Sequence, residues 1–409
     1  MTSRRINQRN IDLNNPSTAS TEAVSSFRSQ IGPILLLASI FLLNFMGRII
    51  IAPLLPAIEK DLSLSHVQAG SLILITTAGY FVTVMGSGFL SSVVTHRNTI
   101  LFSAFAGALA LIGISFSHSL LGLRGSLLLL GLATGFYLPS GIATLTSLVP
   151  AKHWGKALSI HELAPNLGFV AAPLISEALL HWLSWRSVLG VLGLSSALCG
   201  WVFWRFGHGG QFQGQVPNLS SYRNLLSRSS FWIMAILFAL GMAGSFGIYT
   251  MLPLYLTAAQ GMDRPFANTL IGLSRVSGLF TTLMAGWATD RFGSRRTLLL
   301  VLLLTGLTTL LMGMATGAWL MLLVFVQPML AVCFFPAGFA AISRIGSAES
   351  RSLAVSVAVP LGFLFAGGAL PVAIGILGDA GHFAAGIAGT GLVIFCGAFL
   401  SRFLRLRQQ

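Results

Sequence analysis

Long apolar runs and short polar breaks alternate along the chain, twelve runs in all. Each run is long enough for an α-helix to cross roughly 30 Å of hydrocarbon, which takes about 20 residues. The first six lie at 31–55, 67–91, 99–117, 121–149, 157–181 and 186–206, and the second six at 230–257, 266–289, 297–316, 318–343, 352–377 and 383–404. In lipid a backbone must satisfy its own polar groups, so only helices and closed barrels span a membrane. The pattern therefore predicts an all-α membrane protein of twelve transmembrane helices. It divides into a tail over 1–30, a six-helix half over 31–206, a linker over 207–229, a second six-helix half over 230–404 and a short tail over 405–409. The first tail is rich in Ser, Thr, Asn and Arg without apolar periodicity, and reads as disordered. The linker is polar and basic.

The two halves repeat. Gly88 and Gly286 match at one offset, as do Arg97 and Arg295. YLPSGIATL (137–145) aligns with FFPAGFAAI (334–342), placing Pro139 with Pro336 and Gly141 with Gly338, and Pro173 matches Pro371. Two parallel sets of six spans imply a pseudo-two-fold axis along the membrane normal.

Composition agrees: 55% of the 409 residues are hydrophobic and 8% charged, against about 25% charged in a soluble domain. A net charge of +14 would suit a polyanion, but most of the Lys and Arg fall in loops and tails on one side of the predicted membrane. That is the positive-inside pattern. It predicts cytoplasmic termini and a lipid bilayer as surroundings, with no nucleic-acid partner. Cys199, Cys333 and Cys396 lie far apart in apolar runs, so they suggest small buried residues rather than disulfides or a metal site. With no phosphate loop, supported Ser-His-Asp set or metal-ligand spacing, the reading is not an enzyme, and no cofactor is implied.

The most informative polar break is Gly286–Arg296, GWATDRFGSRR, with Gly286, Asp290, Arg291, Gly293, Arg295 and Arg296. Its counterpart GFLSSVVTHRN (88–98) keeps Gly88 and Arg97 but has Ser92, Val93 and Thr95 where an acid, an arginine and a glycine are expected. The loop, its position and the twelve spans resemble the major facilitator superfamily over residues 30–405. That resemblance implies a central cavity between two rocking halves. It also implies an inner gate, fastened here mainly around Asp290 and Arg291. GFVAAP (168–173) is partly similar to the antiporter motif of the same family, with Ala172 in place of a glycine.

Charge inside a span costs about 2.5–3.5 kcal/mol on insertion scales and marks function by default. Arg48 and Arg275 lie within spans, one per half, without an acid one turn away in their own helices. Guanidinium forks match carboxylate oxygens, so the pair suggests a clamp for a small anion. The alternative is neutralisation by Glu162 or by backbone carbonyls. The surroundings of Arg48, NFMGRIIIAPLLPAIEKDL, resemble the first helix of anion:cation symporters, with Gly47 where many of them carry an acid. Arg275 is similarly placed to an arginine of monocarboxylate and nitrate/nitrite transporters. Glu162, beside His161, is the candidate for proton coupling, because burial favours a protonated carboxyl; a structural role opposite Lys156 is the alternative. Asn44, Tyr80, Tyr137, Asn166, Tyr249 and Gln327 can complete the pocket or serve as interhelical bonds. The sequence thus reads as a monomeric inner-membrane transporter for a small organic anion, a carboxylate by preference, moved together with protons. Alternatives are inorganic-anion transport of a nitrate-, nitrite- or cyanate-like kind, anion exchange, drug efflux by antiport, and a non-transporting sensor or scaffold.

Overall fold

The computed structural model describes residues 27–214, 219–344 and 348–404. The expected tails, except for residues 27–30, lie outside the described residues, as do 215–218 of the linker. Twelve long helices are present among the described residues: α1 Phe27–Leu62, α2 His66–Val93, α3 His96–Ser115, α4 Leu120–Leu148, α5 Trp154–Leu180, α6 Trp185–Phe206, α7 Ser229–Ala259, α8 Arg264–Phe292, α9 Ser294–Met314, α10 Gly317–Ile342, α11 Leu353–Asp379 and α12 Phe383–Phe403. Eleven are long and apolar enough to cross a membrane. The remaining one, α8, is long enough but carries Asn268, Ser274, Arg275, Ser277, Thr281 and Thr282 within its length. A short helix, Leu219–Leu226, lies in the linker.

Local chemistry sets the ends. Ser65 caps α2 in a reciprocal box with Gln68, and Thr95, Ser119 and Ser184 cap α3, α4 and α6. Each hydroxyl satisfies one of the otherwise orphaned first amides. α4 is interrupted at Phe136 and α10 at Val332–Cys333. The repeated prolines explain both, since Pro139 and Pro336 cannot donate to the carbonyls of Gly135 and Val332.

The same neighbours recur in each half. α3 packs on α6 as α9 packs on α12, α2 on α4 as α8 on α10, and α1 on α5 as α7 on α11. Small residues let some of these backbones touch. A Cβ on Gly131 would run into the Thr76 carbonyl of α2, and one on Gly391 into the Leu310 backbone of α9. The halves meet where α2 crosses α11, α5 crosses α8 and the Ile51–Leu62 part of α1 crosses α7. Large apolar side chains cover the outside, among them Val82, Leu109, Leu121, Leu194, Leu283 and Trp287, as lipid-facing helices require. Cys396 is also exposed rather than buried, because it sits on the outer face of α12.

Candidate functional site

Arg48 follows Phe45 by one helical turn, so both side chains leave α1 on one face. The Arg48 guanidinium is buried, its carbon 3.9 Å over the Tyr80 ring of α2 and 5.2 Å from the Phe45 centroid. Arg275 is half-buried. Its guanidinium carbon lies 4.8 Å from the Phe169 ring of α5 and 5.0 Å from the Tyr249 ring of α7. Its Nη2 donates to the Ser245 carbonyl at 2.8 Å, inside a π-helical turn of α7 at Ala243–Gly247. Such turns loosen the regular bonding and recur at functional positions. A desolvated cation–π contact contributes about 2 kcal/mol or more, which offsets part of the cost of burying each charge. Among the described residues neither arginine belongs to an ion pair. The ion pairs are His66–Glu59, His161–Glu162, Arg186–Asp61 and Arg264–Glu177.

The aromatic rings around the arginines form a closed circuit across the two halves. Phe45 meets Phe169 at 5.2 Å between centroids, Phe169 meets Phe246 at 6.3 Å, Phe246 meets Phe363 at 5.2 Å and Phe363 meets Tyr80 at 6.1 Å. Arg48, between Tyr80 and Phe45, closes it. All four ring pairs are edge-to-face, the arrangement ring quadrupoles favour. Phe45, Tyr80 and Phe169 come from the first half, and Phe246 and Phe363 from the second. Of these rings, the sequence reading singled out only Tyr80. Phe45 and Phe246 sit three residues before Arg48 and Tyr249, a spacing that points to a shared face. Phe169 and Phe363 carry no such signal.

The other predicted pocket residues are placed elsewhere. Asn44 bonds Ser103 of α3 at 3.1 Å, tying α1 to α3 instead of sharing the surroundings of Arg48. Gln327 donates to the Gly244 carbonyl at 2.7 Å and to Thr309 at 3.0 Å, which binds α10 to α7 and α9. Tyr137 donates to the Leu37 carbonyl at 2.6 Å and meets Nε2 of the buried His161 at 3.1 Å. These are interhelical bonds within one half. Asn166 bonds the Glu162 carbonyl of its own helix at 3.0 Å. Glu162 is not enclosed by protein: its side chain is 52% exposed and reaches His161 Nδ1 at 3.4 Å. The expected burial therefore does not occur, because the neighbouring side chain, that of His161, turns inward and Glu162 turns out.

At the end of the bundle that holds the α1–α2, α5–α6, α7–α8 and α11–α12 loops, the halves are latched. Asp379, at the end of α11, accepts from the His66 and Val67 amides that start α2, at 2.7 and 3.1 Å. A carboxylate at a helix N-terminus is stabilised by the orphaned amides and the helix dipole. Glu177 of α5 accepts from Arg264 Nε and Nη2 at 3.2 and 3.0 Å and from Asn268 at 3.0 Å, while Asn268 also donates to the Pro53 carbonyl at 3.2 Å. Gly70 lies so close to α11 that a Cβ would come within 2.6 Å of the Pro371 oxygen. The sequence reading assigned no role to Arg264, Asn268 or Asp379, since their partners are distant in the chain. His66 also bonds Glu59 through Nδ1 at 3.0 Å.

The opposite end is unlatched among the described residues. Asp290 and Arg291 are exposed there and form no hydrogen bond or ion pair, so the expected inner fastening is not made in this conformation. Gly293 supplies the positive φ of the turn (+83°), and Gly286 has no close neighbour. Arg296 is exposed and lines the same surface recess as Trp287. The repeated arginines do share a contact. Arg97 donates to the Trp204 and Gly207 carbonyls at 2.9 and 2.5 Å, closing the end of α6, and Arg295 donates to the Arg402 carbonyl at the end of α12. Each satisfies last-turn carbonyls and complements the helix dipole. In the first half the linker lies along the altered loop. Gly214 donates to the Ser91 carbonyl, and His96 and Arg97 donate to the Phe212 and Gly210 carbonyls, while the Gly88 carbonyl, inside the end of α2, accepts from the Ser91 hydroxyl.

A family model described as Major Facilitator Superfamily matches residues 37–280 and 244–409. The chain is 24% identical over 272 residues to a chloramphenicol resistance protein of Pseudomonas aeruginosa, covering 64% of this chain and 63% of that one. It is 29% identical over 219 residues to the purine ribonucleoside efflux pump NepI of Salmonella typhimurium, covering 51% and 53%. The match thus spans between half and two thirds of the length of these relatives. Among solved structures, a bacterial homolog of the human lysosomal transporter Spinster, inward-facing and unoccupied, superposes with a TM-score of 0.80 at 15% identity, over 93% of this chain and 97% of that one. A D-xylose-proton symporter does so with 0.74 at 16% identity, over 93% and 99%. These structures establish the shared fold.

Proposed function

The chain belongs to the major facilitator superfamily, a family of secondary transporters and not of enzymes, and from that premise we propose that it exports a small organic anion in exchange for protons. The observation that carries this reading is the pair of central guanidiniums, one from each half, joined through Phe45 and Phe169 and lacking any carboxylate partner among the described residues. An anion bridging them would bind both halves at once, which is what alternating access requires of a substrate. Export rather than symport is favoured by the two relatives, whose names describe resistance and efflux. In this proposal both termini face the cytoplasm of a cell-bounding membrane. The latched end is then the outer one, and the conformation described here receives substrate from inside. Glu162, exposed beside the buried His161, is the proposed proton carrier.

Everted vesicles with an acidic lumen test this. A permeant weak acid is passively excluded from an acidic lumen, so its accumulation there reports active antiport. The expected result is accumulation of labelled organic acids, lost in Arg275→Lys although that protein still inserts. Undiminished accumulation by Arg275→Lys, or transport of chloramphenicol and a purine ribonucleoside with no acid moved, would overturn the anion reading.

A further inference from the structure

Among the described residues, two buried polar atoms of the central site have no partner: Nε of Arg48 and the hydroxyl of Tyr249. An unmet buried polar group costs about 1–3 kcal/mol, and native structures carry few of them. Nε of arginine is only a donor, so it needs an acceptor. The Tyr249 hydroxyl can donate to one. Nε belongs to the Arg48 guanidinium itself, and the Tyr249 ring that carries the hydroxyl has its centroid 5.0 Å from the Arg275 guanidinium carbon. Rings of the circuit lie against both guanidiniums, Phe45 and Tyr80 against Arg48 and Phe169 against Arg275. Aliphatic side chains would pack a helix crossing as well in lipid, where dispersion and shape drive association. Here, around the two arginines, the ring contacts are made by Phe45, Phe169, Phe246, Phe363 and Tyr80.

From this arrangement we infer that the transported anion is a planar aromatic acid. Its acid group meets the arginines, with Arg48 Nε and the Tyr249 hydroxyl donating to its oxygens, and its ring joins the aromatic circuit. The inference rests on the anion-export reading and adds the ring requirement to it. An aromatic ligand inserted edge-to-face extends the existing contacts, whereas a saturated one of equal volume loses the quadrupole part of each contact, about 0.5–1.5 kcal/mol per pair. Rings from both halves would clasp the ligand, so its planarity is read together with its charge.

Three probes of nearly equal size separate the parts of this claim: naphthoate, its saturated counterpart decahydronaphthoate, and the uncharged naphthamide. Binding is measured by calorimetry on the purified full chain in lipid nanodiscs. Naphthoate is expected to bind about tenfold more tightly than decahydronaphthoate, with no measurable binding of naphthamide. Phe169→Leu should bring the two acids to equal affinity. Tyr249→Phe, which removes only an unpartnered oxygen and should leave folding intact, should weaken both acids alike. Equal affinity of the two acids for the native chain would overturn the aromatic requirement and leave the anion site standing. Naphthamide binding as tightly as naphthoate would overturn the acid requirement and the anion reading with it. No response to naphthoate would overturn both.

Discussion

Neutralising one carboxylate at the latched end should shift the whole molecule toward the opposite conformation. Glu177 holds Arg264 through two nitrogens and Asn268 through a third, so α5 of the first half is tied to α8 of the second. The side chains are 14% and 33% exposed. A fully buried pair broken on one side costs about 3–5 kcal/mol, and an exposed pair contributes about 0–1 kcal/mol. Partial exposure of Arg264, and the one carbonyl acceptor that Gln retains, place Glu177→Gln at about 1–2 kcal/mol. That cost falls on the state in which the latch is made and not on the one in which it is open. The ratio of open to closed latches should therefore rise by roughly 5- to 30-fold. Spin labels at Leu121 and Trp319, exposed positions at the starts of α4 and α10 on the latched end, would report the separation of the halves by double electron–electron resonance. The expected result is growth of a longer-distance population in Glu177→Gln. Arg264→Gln should do the same, and the double variant should do little more than either, because the pair acts as a unit. An unchanged distribution in Glu177→Gln, or additive effects in the double variant, would refute a latching role for this contact.

Three further outcomes follow from particular contacts. Gly131→Ala should force α2 from α4 and lower stability by about 1–3 kcal/mol, visible as a reduced melting temperature, whereas Gly286→Ala, with open space around it, should not. Glu162→Gln should retain exchange of substrate across proteoliposomes while losing accumulation driven by a pH gradient; retained accumulation removes Glu162 from the coupling role. Asp290→Asn should disturb the conformational ratio more than Ser92→Ala, measured with labels at the unlatched end, and the reverse order would mean that the loop of the first half forms the inner gate.

Helix number, order and repeat were legible because lipid imposes one rule on every span: a long apolar run with polar ends. The exception is instructive. α8 falls short on apolarity since it carries Asn268, which bonds Glu177 and Pro53, and Arg275, which bonds Ser245, so polar contacts diluted the signal that marks a span. The two central arginines were legible for the same reason in reverse, as charge stands out against an apolar run. The polar candidates were harder to separate. Asn44 and Gln327 differ from site residues only in which neighbour they meet, and helical spacing does not specify Ser103 or Thr309 as that neighbour. Phenylalanine is the least visible of all. A ring that lines a site and a ring that faces lipid look identical in an apolar run, so Phe169 and Phe363 emerge only when six helices are assembled. The arginine repeat, Arg97 and Arg295, was visible as a match, yet its shared role at the ends of α6 and α12 depended on tertiary contacts.

The placement of these contacts bears on how substrate and conformation are linked. The latch at Asp379 and Glu177 joins α2 with α11 and α5 with α8, and the central contacts Tyr80–Phe363 and Phe169–Arg275 join the same two pairs. Phe363 lies on α11, which carries Asp379, and Phe169 lies on α5, which carries Glu177. Opening the latch by rigid rotation must therefore draw Phe363 from Tyr80, and must alter how Phe169 and Arg275 face each other. A ligand that fits the circuit as it stands stabilises the latched state. To promote opening it must bind the rearranged circuit more tightly, because a ligand with equal affinity for both states shifts neither. The two guanidiniums supply that difference in this proposal: they come from opposite halves, and an anion holding both retains its charge contacts while ring contacts are exchanged. Without the anion, separation of the rings would leave two desolvated cations with fewer aromatic faces to offset their burial. The empty carrier would then resist passage through the intermediate, and coupling of transport to substrate would follow from the placement of two arginines among shared rings.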